Sequence, residues 1–502
     1  MLILLGACTT RFNTVDSATD TALDPAGDVE DGTDGTPGQT VVCYSTNTVY
    51  VSFEPGTLLE WGCDTTGSNC SSTGLWMDIL GENLVIAAGA DRSSGAWGGH
   101  VFGTCVSTAD GTLTPGSAIR ITPSASEEWD IKPRSMSMVQ RTPDAPILLF
   151  SRQHWDETLD RVTDQSLEAL RLTCDTSGMI ESEPHVIIQS VGSDAPAETR
   201  TMSLTRGIRV LNDLYLFFMM EEETMTLPRN ELFGGTIGMA QFNSGTMYTF
   251  GYHFVPMGTI GPDLAHYPAQ PEYTDNVVAL PWMRMRISGD IGEFASGLWL
   301  FNEPIYPGTT FTPGMVTLDS PDNFEACLSG TRLGAFDSYA MAAISTNVTF
   351  TETGLEPPYN LNVGAANGLS GTTIDRVVPD QVWAINETLF RTMDVFDATN
   401  YSLLFDESRR IFHYVMPLYV VGGTAQIAVF SFFEDGMPAW GPEGPFYLDT
   451  GAWELPAFDA VIDPATGRIF ISKFMGEDAS PPNALDGFYV DEIDCEVVWA
   501  GP

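Results

Sequence analysis

Seven times along this chain, at intervals of roughly 50 to 85 residues, an apolar run meets a short turn and re-emerges as a second apolar run. The clearest pair is Leu403-Leu404-Phe405-Asp406-Glu407-Ser408-Arg409-Arg410-Ile411-Phe412 beside Val461-Ile462-Asp463-Pro464-Ala465-Thr466-Gly467-Arg468-Ile469-Phe470. Each reads as strand, Asp-initiated turn, strand, because an Asp carboxylate hydrogen-bonds the backbone of its own turn. A hairpin of this size cannot bury its apolar face unaided, so its recurrence means that neighbours stack.

The second strands are expected to begin near Leu84, Ile147, Leu214, Leu298, Ile411 and Ile469, with a fainter copy near Asn347-Val348-Thr349-Phe350. The turns before the first four use Gly81-Glu82-Asn83, Pro143-Asp144-Ala145, Asn212-Asp213 and Ala295-Ser296-Gly297. Three or four short strands per unit predict an all-β fold, a β-propeller of seven blades with about four antiparallel strands each. The period and strand count are too large for a solenoid. Nothing argues for helices: Gln165 to Thr173 is short and continues a strand, and 48 Gly and 32 Pro punctuate the chain as an all-β fold requires.

The chain opens Met1-Leu2-Ile3-Leu4-Leu5-Gly6-Ala7-Cys8. Leu5-Gly6-Ala7-Cys8 resembles the lipobox of bacterial lipoproteins, which implies lipidation at Cys8 and anchoring at the outer membrane or cell surface. A signal peptide carries a basic n-region, and no Lys or Arg precedes Cys8, so the true start is expected upstream. Residues 9–40 are Thr, Asp, Gly, Ala and Pro with few large apolar side chains, the composition of a flexible acidic tether. Asp28, Glu30, Asp31 and Asp34 miss the spacing of a calcium loop. Residues 41–502 are then the propeller domain, and the layout resembles bacterial propeller lipoproteins.

A net charge of −44 with only two lysines, Lys132 and Lys473, repels phosphate backbones and excludes nucleic acid as a partner. Screening in a saline setting accounts for such a surface, with Ca²⁺ the one cofactor in view and no metal site assigned. Eight cysteines in an exported chain predict disulfides. Cys63 and Cys70 bracket a turn-rich loop. Cys43 and Cys495 sit at the two ends of the head, where a bridge would clamp a ring shut and contribute several kcal/mol on the chain-entropy model. Cys105 and Cys174 take similar places in consecutive units, leaving Cys327 over. There is no CxxC, and six scattered His argue against zinc.

No local catalytic signature occurs: no G-x-S-x-G, H-E-x-x-H, P-loop or G-x-G-x-x-G. Two stretches are candidate ligand surfaces. His154, Trp155 and Asp156, after a buried-looking strand, put acid, base and aromatic groups together, although a plain polar loop competes with that reading. Asp263, His266 and Tyr267 lie in an apparent insertion, Gly258 to Tyr273, and long loops on rigid scaffolds carry binding functions. The expected role is a monomeric surface scaffold that binds a protein or glycan through propeller loops. The alternative is a propeller glycoside hydrolase or lyase with carboxylates at the central channel. Two or three carboxylates about 5 to 10 Å apart on the channel would favour the second.

Overall fold

The two hairpins that stand out in the sequence set the local pattern. In a computed structural model of the chain, Asp463 Oδ1 accepts the Ala465 N–H (2.9 Å), Oδ2 accepts the Thr466 hydroxyl (2.6 Å), and Gly467 takes φ +72°. Asp406 accepts the Ser408 hydroxyl (2.7 Å) and the Arg409 N–H (3.0 Å) in the matching turn. A Cβ on Gly467 would collide with Arg409 and Asp406, so these turns pack on each other and the glycine is required twice over.

The described residues lie between Gly38 and Trp499 and comprise the strands named here with their adjoining turns; side chains of residues 306–401 are not among them. The described strands pair into seven sheets. The first runs Cys70–Leu80, Asn83–Arg92, His100–Ser107, Thr114–Pro115. The second is Trp129–Ile131 with Ser137–Val139, then Ile147–Asp156, Arg161–Cys174 and Ile180–Val191. The third is Thr199–Val210, Asp213–Glu223, Arg229–Gly238, Val255–Pro256. The fourth is Leu264–Pro268 with Glu272–Thr274, then Val277–Ser288, Ile291–Phe301 and Gly314–Leu318. The fifth is Cys327–Phe336, Tyr339–Thr351, Gly354–Ser370, Thr373–Ala384. The sixth is Phe390–Thr392 with Ser402–Asp406, then Ile411–Val420, Ala425–Phe433 and Phe446–Asp449. The seventh takes three strands from the end of the chain, Phe458–Ile462, Ile469–Lys473 and Gly487–Trp499, and its outer strand from the beginning, Gln39–Ser52.

Contacts between sheets close this series into a propeller. Cys70–Leu80 touches Phe458–Ile462 on one side and Ser137–Val139 on the other. Thr199–Val210 touches Ser137–Val139 and Glu272–Thr274, while Cys327–Phe336 touches Glu272–Thr274 and Ser402–Asp406. Ser402–Asp406 then meets Phe458–Ile462. The first strand of every sheet therefore faces the axis. The core is divided accordingly, with one apolar layer in each of the five gaps whose side chains are described. Leu75, Met77 and Phe102 pack with Val461, Phe470 and Phe488 between the seventh and first sheets. Ile411, Val415 and Val429 pack with Phe458, Ile469 and Ile493 between the sixth and seventh.

Closure rests on the chain ends. Gln39–Ser52 pairs antiparallel with Gly487–Trp499, and within that ladder Cys43 and Cys495 form a disulfide across 452 residues. Cys105–Cys174 joins the third strands of the first two sheets. Lys473, one of two lysines, makes a buried ion pair with Asp491 at 2.7 Å beside the ladder. A Cβ on Gly487 would run into the Val51 carbonyl and the Tyr50 ring. Gly487→Val is therefore expected to cost about 1–3 kcal/mol in urea unfolding; an unchanged midpoint would contradict the ladder's register.

Several expectations need correction. Leu298 lies in the third strand of its sheet, and Ala295-Ser296-Gly297 is strand interior rather than turn. The true second strand, Val277–Ser288, carries Pro281 in its middle, which reads as a breaker. Much of the supposed insertion Gly258 to Tyr273 is the inner strand of the fourth sheet, interrupted at Pro268 and Pro271. One five-residue helix, Met239–Asn243, forms where none is expected, with Met239 and Phe242 buried beneath it. Cys8, residues 9–37 of the tether, and Cys63 lie outside the described residues, as do the side chains of Cys70 and Cys327.

Candidate functional site

The inner strands carry buried polar groups from positions far apart in the chain. Asp459 sits on Phe458–Ile462, Asp78 on Cys70–Leu80, Ser137 on the inner strand of the second sheet, and Thr205 and Arg206 on that of the third. None of the five is more than 4% exposed. The ladder register shifts between Ser203 and Arg206, a bulge that re-aims the side chains there.

Asp459 spans three neighbouring sheets. Its Oδ2 accepts the Met77 N–H of the first sheet at 2.7 Å. Its Oδ1 accepts the Ala460 N–H at 2.9 Å and the Ser402 hydroxyl of the sixth sheet at 3.4 Å. Asp78 accepts the N–H of Ile79 at 2.8 Å. Farther round, the Ser137 and Thr205 hydroxyls meet at 3.5 Å, and the Arg206 guanidinium lies 5.4 Å over the Trp76 ring. Gln270 Nε2 donates to the Gly207 carbonyl at 3.1 Å, and its Oε1 has no hydrogen-bond partner among the described residues.

Burial pushes the Asp459 carboxyl up to about 7. The Met77 and Ala460 N–H groups favour the charged form and offset part of that rise, and the nearby Asp78 adds to it. Asp406, at the end of the neighbouring inner strand, goes the other way. Burial raises it, but hydrogen bonds from Ser408 and Arg409 together outweigh burial and hold it below the ordinary carboxyl value. Two buried acids on neighbouring inner strands thus differ in how readily they give up a proton.

The raised value has a consequence for stability. From about pH 4 to about 7 the folded state keeps a proton on Asp459 that the unfolded chain has released, so this group's contribution falls as pH rises through that window. Asp459→Asn should remove that downward slope, and the wild-type-minus-variant unfolding free energy should change by on the order of 4 kcal/mol across the window in urea titrations. A difference that stays flat with pH would overturn the assignment.

Of the residues singled out in the sequence, two lie on an inner strand and three on a strand paired with one. His154, Trp155 and Asp156 do not follow a strand; they end one, Ile147–Asp156, and His154 registers against Trp129 of the inner strand. Arg152 in the same strand binds the fully buried Glu168 at 3.0 Å. His266 and Tyr267 belong to the inner strand Leu264–Pro268, in register with Arg284 and Met283. Asp263 lies outside the described residues, and so do the side chains of His154, Trp155, Asp156, His266 and Tyr267. Asp78 and Asp459 were missed. The available signal was a lone acid inside an apolar run, Leu75-Trp76-Met77-Asp78-Ile79-Leu80 and Phe458-Asp459-Ala460-Val461-Ile462, since an isolated charge in a core strand is costly unless it is used.

Fold and site together define the class: an all-β propeller with buried acidic groups on its inner strands. No protein-family model and no curated protein sequence matches the chain. Among solved structures it is similar to an α-L-arabinofuranosidase of Fusarium graminearum, at 11% identity over 74% of this chain and 93% of that one, TM-score 0.38. It is also similar to the endosialidase of phage phi92, at 9% identity over 89% and 68%, TM-score 0.43. An α-L-arabinanase of Penicillium chrysogenum gives 9% identity over 81% and 98%, TM-score 0.37. No residue role is carried over from them.

Proposed function

We propose that this chain is a propeller hydrolase or lyase acting on a glycosidic bond at its axis, with Asp459 as proton donor and Asp78 as the second carboxylate. The observation that carries this reading is the Asp459 carboxyl, buried on the inner ring and pushed up to about 7 beside another acid. Cleavage of a glycosidic bond requires an acid that still holds its proton near neutral pH and a second carboxyl group across the bond. Gln270 Oε1 offers an acceptor for a sugar hydroxyl, and Arg206, held against Trp76, supplies fixed positive charge. We further propose that the protein is exported and held at the outer membrane or cell surface through lipid on Cys8. Two disulfides support an oxidising compartment.

The test is a screen of polysaccharides and oligosaccharides for released reducing ends or unsaturated products, using the wild type beside Asp459→Asn and Asp78→Asn. Turnover by the wild type that both variants lose supports the proposal. Tight glycan binding without turnover would return the protein to the scaffold reading.

A further inference from the structure

The closing disulfide faces a histidine that has no evident use for one of its ring nitrogens. His413, on the second strand of the sixth sheet, is fully buried. Its Nδ1 meets the Ser431 hydroxyl at 2.9 Å, while Nε2 is buried with no hydrogen-bond partner among the described residues. The ligand atoms of His413, Cys43 and Cys495 all lie within 4.8 Å of one another, on three strands of two adjacent sheets.

We propose that reduction of Cys43–Cys495 turns this cluster into a Zn²⁺ site, with two thiolates and His413 as protein ligands and a water in the fourth position. Thiolate and imidazole are the donors Zn²⁺ prefers, and three protein ligands plus an open position is an established coordination for it. Zn–S bonds of about 2.3 Å in a tetrahedron set the sulfurs about 3.8 Å apart, which two directly opposed cross-strand residues reach by side-chain rotation. His413 Nδ1–H donating to the Ser431 hydroxyl would fix the tautomer that leaves Nε2 free for the metal.

The chemistry balances with a dithiol as reductant. Its thiolate attacks the half-buried Cys43 Sγ and Cys495 leaves as thiolate. The mixed disulfide then collapses to the reductant's cyclic disulfide, releasing Cys43. Two electrons and two protons pass from the dithiol to the two protein thiols, and one Zn²⁺ displaces those protons on binding. The bridge across the chain ends is thereby exchanged for one that also holds the sixth sheet to the seventh. Spacing could not have shown this site, because its ligands lie at positions 43, 413 and 495.

The experiment is Zn²⁺ and Co²⁺ titration of the full chain, oxidised and after reduction by a phosphine, which does not itself compete for metal. The reduced wild type should bind, showing a thiolate-to-cobalt charge-transfer band and a raised thermal midpoint, while the oxidised protein shows neither at this site. His413→Gln should weaken the site by about 10-fold or more, and Cys43→Ser with Cys495→Ser should abolish it. Other thiols are freed by reduction, so zinc-edge X-ray absorption of the wild type provides a second readout that needs no variant. Two sulfurs with two lighter donors support the site. An all-sulfur shell, equal binding by His413→Gln, or equal binding by the oxidised chain would overturn it.

Discussion

If the proposed hydrolase or lyase activity holds, Asp459→Asn should lower glycan turnover by about 10²–10⁴-fold, the range over which a positioned acid contributes. The amide has no proton to give at any pH, yet it keeps one oxygen for the donors that now converge on the carboxyl. Those donors, the N–H groups of Met77 and Ala460 and the Ser402 hydroxyl, tie three sheets together. The variant therefore loses at most about 1–3 kcal/mol of stability through one orphaned donor and should remain folded, as circular dichroism would verify. Asp406→Asn is the matched control. That carboxyl is also buried and also lies on an inner strand, but its hydrogen bonds from Ser408 and Arg409 hold it ionised. It serves a turn, so its loss should lower the unfolding midpoint and leave turnover within a few-fold. Equal turnover in the wild type and Asp459→Asn would remove Asp459 from the chemistry.

The second large effect concerns closure. Replacing Cys43 and Cys495 by Ser should reduce the unfolding free energy by about 6 kcal/mol on the chain-entropy model, because the bridge spans 452 residues and the entropy it removes from the unfolded chain grows with the loop it closes. Cys105→Ser with Cys174→Ser, whose bridge spans only 69 residues, should cost less, about 4 kcal/mol on the same model. The backbone ladder between Gln39–Ser52 and Gly487–Trp499 survives the first change, as do the bonds of Asn47 and Thr48 to Glu492 and Asp491. The ring should accordingly remain closed and only open more readily, first at the seventh sheet. Hydrogen exchange would show that order. Protection lost uniformly over all sheets, or no change in urea midpoint, would contradict a ring clamped at its ends.

The repeat was legible because hairpins at Asp406 and Asp463 announce themselves through local turn chemistry, and because each gap between sheets needs its own apolar layer. Where local chemistry misleads, the reading failed. Pro281 inside Val277–Ser288 looks like a break, yet tertiary pairing carries the strand through it, whereas the inner strand of the fourth sheet does stop between Pro268 and Glu272. The site was less legible still. Its acids come from the first and seventh sheets, nearly 400 residues apart in the chain, so no spacing joins them until the ring closes. The aromatic and histidine-bearing stretches drew attention by composition. The single buried acids, each disguised in a hydrophobic strand, did not.

Infrared difference spectroscopy between the wild type and Asp459→Asn, taken from about pH 5 to about pH 9, tests most directly whether the axis holds an acid that keeps its proton to neutrality. The account predicts a protonated-carboxyl band in the wild type that disappears with a midpoint near 7 and is missing from the variant throughout. A wild-type spectrum with no such band above about pH 5 would contradict it.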